Sequence, residues 1–126
     1  MNKNMTANRK NPLLAGLSVL LSALIASPTS VCANPYGGAV AAGAANIMGS
    51  GQGSVVTVQQ LSNLAIINWK GFSINSGQLT QFVQPSALSA ALNRVTGGDP
   101  SALYGTLQAN GKVYLINPNG ITVGPC

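Results

Sequence analysis

The chain has 126 residues, room for one domain at most, and only 6% of them are charged, against about a quarter in an ordinary globular protein. Its formal charge of +5 sits largely at one end: Lys3, Arg9 and Lys10 lie in the first ten residues, while from Asn34 onward Lys70, Arg94 and Lys112 are set against the single acid Asp99. That leaves no basic patch for nucleic acid, and a chain without His or Glu cannot build a His-based triad or a paired-carboxylate site.

Residues 1–33 read as a secretory signal peptide, handled by the Sec translocon and signal peptidase. Lys3, Arg9 and Lys10 form the positive region, and Leu13 to Ala26 is an apolar run of 14 residues. That is short of the roughly 20 needed to span a bilayer. Ser27-Pro28-Thr29-Ser30 breaks the run, and Val31-Cys32-Ala33 places small residues before an expected cleavage between Ala33 and Asn34. Cleavage there removes Cys32 and leaves Cys126 as the last thiol, so no internal disulfide is expected. Cys126 closely follows Gly124-Pro125, and the chain reads as a fragment of something longer, truncated at its C-terminus.

Residues 34–53 are a Gly/Ala-rich segment leading into the rest. Ala39 to Met48 has the alanine content of a short helix, interrupted by Gly43. From Ser54 onward the pattern is β. Ser54–Leu61 and Leu64–Trp69 are rich in Val and Ile, and Phe72–Ile74 resumes the second run after Gly71, which marks a bulge or corner. Asn75-Ser76-Gly77 is a turn. Leu79–Gln84 alternates apolar and polar, as a half-buried strand does. Ala87–Val95 has helical composition but the spacing of a strand, and the spacing decides it. Thr96–Pro100 is a loop, Ser101–Gln108 is another apolar segment with Gly105 inside it, and Asn110-Gly111 is a turn signal. Val113–Ile116 is a strand, Asn117-Pro118-Asn119-Gly120 a tight turn, and Ile121 begins the next strand.

Strands that recur about every ten residues mean a sandwich, a barrel or a solenoid. Val55-Val56, Ile66-Ile67 and Leu115-Ile116 are apolar without alternation, as in parallel sheets covered on both faces. Asn68, Asn93 and Asn117 are spaced by 25 and 24 residues, close to one coil of a parallel β-helix, where asparagines at equivalent corners stack.

The segments Ala65–Ile74, Phe82–Pro85, Ala91–Gly98, Gly105–Leu107, Asn110–Val113 and Leu115–Ile121, in that order, resemble the N-terminal two-partner secretion domain of filamentous-haemagglutinin-like exoproteins, also called the haemagglutination activity domain. The resemblance covers about residues 54–124. An earlier Asn-Pro-Asn-Leu motif found in some members is missing, which places the chain nearer the adhesin branch without it. The resemblance implies an all-β fold, a single-stranded right-handed parallel β-helix cap with short extra-helical strands over residues 54–126. It implies a non-enzymatic domain without cofactor or metal, secreted through the periplasm to the cell surface or medium of a Gram-negative cell. The partner would be an outer-membrane β-barrel transporter with periplasmic docking domains. Any host-cell receptor would bind a downstream region. By match, Asn117, Pro118, Asn119, Gly120 and Ile121 fall on the family's secretion motif and Asn68 and Trp69 on its other marked stretch, with Arg94 a further candidate partner contact. The alternative functions are a self-standing adhesive or carbohydrate-binding β-helix module, which needs an exposed aromatic row, and a β-helix lyase or hydrolase, which needs more acids than Asp99.

Overall fold

Strands far apart in the sequence pair in parallel, at steps close to the spacing of the motifs. The structure, a computed structural model, describes residues 34–50 and 53–124, which belong to one compact unit running Cys32–Cys126. Residues 1–33, where a signal peptide is expected, and Cys126 lie outside the described residues. Among the described residues there are ten strands: β1 Ala39–Ala42, β2 Ala45–Met48, β3 Val55–Gln60, β4 Leu64–Trp69, β5 Leu79–Val83, β6 Ala90–Val95, β7 Ser101–Leu103, β8 Thr106–Ala109, β9 Lys112–Ile116 and β10 Ile121–Val123.

They form three ladders. One sheet has the order β9-β6-β4-β1, a second β2-β3-β5-β8, and a third pairs β10 with β7. The β3-β5-β8, β4-β6-β9 and β7-β10 pairings are all parallel. The chain therefore visits the ladders in rotation: β3 and β4, then β5, β6 and β7, then β8, β9 and β10. Phe72–Ile74 belongs to the first round, since Ile74 bridges Leu103 in parallel.

Alternation along each strand aims one set of side chains inward. Val56 and Val58 of β3, Ala65, Ile67 and Trp69 of β4, Phe82 of β5, and Ala91 and Val95 of β6 are buried, with Phe72 and Ile74 beside them. Burying each Val, Ile or Phe contributes roughly 1.5–3 kcal/mol. The edge of Trp69 meets Phe72, with ring centroids 5.5 Å apart and planes at 81°.

Three expectations are corrected. Ala39–Met48 is not helical: β1 pairs antiparallel with β4, and β2 pairs antiparallel with β3. The two strands close the N-terminal edges of both four-stranded sheets, and that pairing overrides the helix propensity of alanine. Gly43 makes the switch between them at φ +79°, and a Cβ there would collide with the Leu64 carbonyl oxygen. The asparagines do not stack. Leu64 pairs with Ala90 and Ala90 with Lys112, steps of 26 and 22 residues, so Asn93 lies against Ile67 and Leu115 while Asn68 lies against Arg94. Finally, the parallel sheets are covered on one face only. Leu64, Tyr114 and Ile116 face outward and are exposed.

Ser101–Gln108 breaks at Tyr104-Gly105 into β7 and β8, because both N–H groups turn to donate to the Ile74 carbonyl, at 2.8 Å each. A Cβ at Gly105 would strike the Asn75 carbonyl oxygen.

Candidate functional site

Asn117-Pro118-Asn119-Gly120 is the whole connection between β9 and β10. Pro118 has no N–H for a ladder and ends the strand. The chain then closes with Gly120 N–H donating to the Asn117 carbonyl at 3.1 Å, with Gly120 at φ +110°. The Asn117 Oδ1 accepts from the Asn119 backbone N–H at 2.9 Å and from Asn119 Nδ2 at 3.1 Å, an Asx-type closure of the same turn.

The amide nitrogens also hold the turn to the loop between β6 and β7. Asn117 Nδ2 donates to the Asp99 carbonyl at 3.0 Å and to Ser101 Oγ at 2.9 Å. Asn119 Nδ2 donates to the Gly97 carbonyl at 2.8 Å, and Ser101 N–H donates to the Gly120 carbonyl at 2.9 Å. Asn117 is buried, whereas Pro118, Asn119, Gly120 and Ile121 are exposed. The motif thus offers a rigid outward loop whose shape is set by one buried side chain.

Asn68, Trp69 and Arg94 lie elsewhere, on β4 and β6. Asn68 and Arg94 are register partners on the outer face, and Arg94 Nε donates to Asn68 Oδ1 at 2.9 Å. Trp69 points inward with no solvent exposure. Its Nε1 donates to Asn93 Oδ1 at 2.8 Å, and Asn93 Nδ2 donates onward to the Tyr114 carbonyl at 3.2 Å. A buried N–H left without an acceptor costs about 1–3 kcal/mol, so Asn93 is the residue that makes this tryptophan tolerable in the core. The turn residues therefore form one site, and Asn68 and Arg94 form a second feature on the β4-β6-β9 sheet.

Sequence reasoning overlooked the polar corner between the two large sheets. Gln84 Nε2 donates to Gln60 Oε1 at 3.1 Å and to the Lys112 carbonyl at 3.0 Å, and Gln84 Oε1 accepts from Gly111 N–H at 2.8 Å. Asn110 brackets the Gln84 backbone, accepting from its N–H at 2.7 Å and donating to its carbonyl at 2.8 Å. Gln60, Gln84 and Asn110 each follow or end a strand of the β3-β5-β8 ladder, which is the signal that could have found them. Asp99 is the one side chain among His, Asp, Glu and Cys within the described residues, and its backbone carbonyl is what the turn uses.

The parallel ladders and the stitched Asn-Pro-Asn-Gly turn make an all-β fold, and the sequence matches the TPS secretion domain over residues 33–126. The chain belongs to that family, the N-terminal domain of two-partner secretion exoproteins. It is 45% identical over 89 residues to a heme/hemopexin-binding protein of Haemophilus influenzae strain Rd, covering 71% of this chain and 10% of the relative. It is 47% identical over 68 residues to a second heme/hemopexin-binding protein of Haemophilus influenzae, covering 54% of this chain and 7% of the relative. The crystal structure of the HMW1 secretion domain from Haemophilus influenzae aligns with a TM-score of 0.66 at 42% identity, covering 72% of this chain and 24% of that one. The chain thus spans about a tenth or less of the curated relatives it matches. Family membership places its destination beyond the outer membrane, at the cell surface or in the medium, with an outer-membrane transporter as partner.

Proposed function

We propose that residues 54–126 are a non-enzymatic export signal and folding nucleus of a filamentous-haemagglutinin-like adhesin. The ladders are read as the first coils of a right-handed parallel β-helix, with β1 and β2 as extra-helical strands that cap it. Residues 1–33 are read as the leader that delivers the chain to the periplasm. There the periplasmic docking domains of a β-barrel transporter engage the stacked coils and the Asn117–Ile121 turn. The chain then threads the barrel, and coils stack again outside, which opposes sliding back.

The observation that carries this reading is the construction of the turn. A buried Asn117 fixes an exposed Pro118-Asn119-Gly120-Ile121 loop by bonds to Asp99, Ser101 and Asn119. A rigid, outward loop on a non-catalytic scaffold suits recognition. Against a carbohydrate-binding module stands the placement of Trp69, Phe72 and Phe82 in the core, which leaves Tyr114 exposed by itself among the described residues rather than in a row on which a sugar chain could stack.

The test is secretion of the full chain, co-expressed with its transporter, with Asn117→Ala and Asn119→Ala combined. Released protein is expected to fall at least about tenfold, on the scale of a lost recognition contact, with the far-ultraviolet circular dichroism of the periplasmic pool retaining its β-signal. Undiminished release would contradict the role of the turn.

A further inference from the structure

The outer face of the β4-β6-β9 sheet carries a second surface that the turn does not use. Register places its outward side chains in three rows: Leu64, Ala90 and Lys112; Ile66, Leu92 and Tyr114; Asn68, Arg94 and Ile116. Six of the nine are apolar. Leu64 is 69% exposed, Tyr114 54% and Ile116 50%, so this is a contiguous apolar face rather than scattered residues. The small Ala90 sits between larger neighbours and leaves an open hollow of about 340 Å³, lined by Leu64, Ala65, Ile66, Ala90, Leu92 and Tyr114. Two cations stand at the margins of the grid, Lys112 at a corner beside Ala90 and Arg94 in the middle of the opposite row, where it donates to the neutral amide of Asn68.

We infer that this face docks an extended or amphipathic segment of the transporter's periplasmic region, one that places an apolar side chain in the hollow over Ala90 and carboxylates against Arg94 and Lys112. The inference rests on the secretion reading and names a second contact surface for the same partner. Charge selects this occupant. A second copy of the chain would bring Arg94 and Lys112 against their own likenesses, with Asp99 the only acid in the sequence to offset them. Residues 1–33 carry Lys3, Arg9 and Lys10 and no acid, so their sequence offers no carboxylate to Arg94 or Lys112. An acidic segment with an apolar face satisfies both the hollow and the two cations.

The experiment titrates the full chain, recovered from the periplasm of cells lacking the transporter, against the purified periplasmic region of that transporter, at low and high salt. Export is measured in parallel. Ala90→Phe fills the hollow from an outward position, and Arg94→Glu with Lys112→Glu reverses both charges. Each variant is expected to raise Kd at least about tenfold and to lower export, with the circular dichroism of the wild type. Binding of the wild type is expected to weaken with salt, and that of the charge-reversed variant is not. Wild-type affinity and export in both variants would overturn the assignment while leaving the secretion reading intact. Binding to vesicles containing phosphatidylglycerol and not to the periplasmic region would overturn it in favour of a membrane surface. Failure of the wild type itself to be exported would overturn the secretion reading and this face with it.

Discussion

Asn117 and Asn119 share one turn but carry unequal loads. Asn117 is buried and satisfies two acceptors outside the turn, whereas Asn119 is exposed and reaches one, the Gly97 carbonyl. Asn117→Ala strands the Asp99 carbonyl and Ser101 Oγ and is expected to cost about 1–3 kcal/mol in urea unfolding. Asn119→Ala, open to water, is expected to cost about 1 kcal/mol or less. The buried pair is the harsher test. Asn93→Leu removes the acceptor of Trp69 Nε1 and is expected to cost about 2 kcal/mol or more, while Trp69→Phe in the same background should recover part of that loss. These residues were unequally legible beforehand. Asn117 and Asn119 were found as turn formers, since local chemistry dictates a turn. Asn93 was singled out for the wrong reason, because its partner Trp69 lies 24 residues away and only the register reveals it.

Adjacent glycines separate what an element needs from what it tolerates. A Cβ on Gly97 would collide with the Lys70 carbonyl oxygen, so the loop after β6 can lie against the end of β4 only if that position is bare. A Cβ on Gly98 meets nothing within 4 Å, and its backbone is outside the left-handed region. Gly97→Ala is therefore expected to destabilise by more than about 1 kcal/mol, and Gly98→Ala to stay within about 0.5 kcal/mol of wild type, both read from the urea midpoint. Most strands were legible because their Val- and Ile-rich runs end at Gly, Asn or Pro. β4 was read to the residue, and β6 was recovered despite its alanines and leucine. The same composition misled at Ala39–Met48. There the deciding term is the open edges of β4 and β3, which that stretch covers and which no local window contains.

At the scale of the molecule, β8, β9 and β10 are the last described strands of the three ladders, and the inward side of β9 is less covered than that of β6 beside it. Val113 and Leu115, inward on β9, are half-buried, whereas Ala91 and Asn93 above them are fully buried, and Val123 is 74% exposed. Such edges invite pairing. Concentration-dependent association is expected in light scattering, and Val123→Lys with Ile121→Lys is expected to reduce it. Parallel pairing at steps of about one coil was anticipated in kind from the 25- and 24-residue spacing of Asn68, Asn93 and Asn117. The unequal steps were not, because insertions of a few residues at corners leave no periodic trace. The outward apolar face was misread as covered, since an apolar run looks the same whether its second face meets protein or water.

The central claim is that this chain carries a recognisable export signal. Its most direct test is to co-express the full chain with an outer-membrane transporter of the two-partner type in a Gram-negative host, and to measure the protein in the medium with and without that transporter. The account predicts release that depends on the transporter, with protein retained in the periplasm when it is absent. Equal amounts in the medium in both cases, or retention in both while the transporter exports a known substrate, would contradict it.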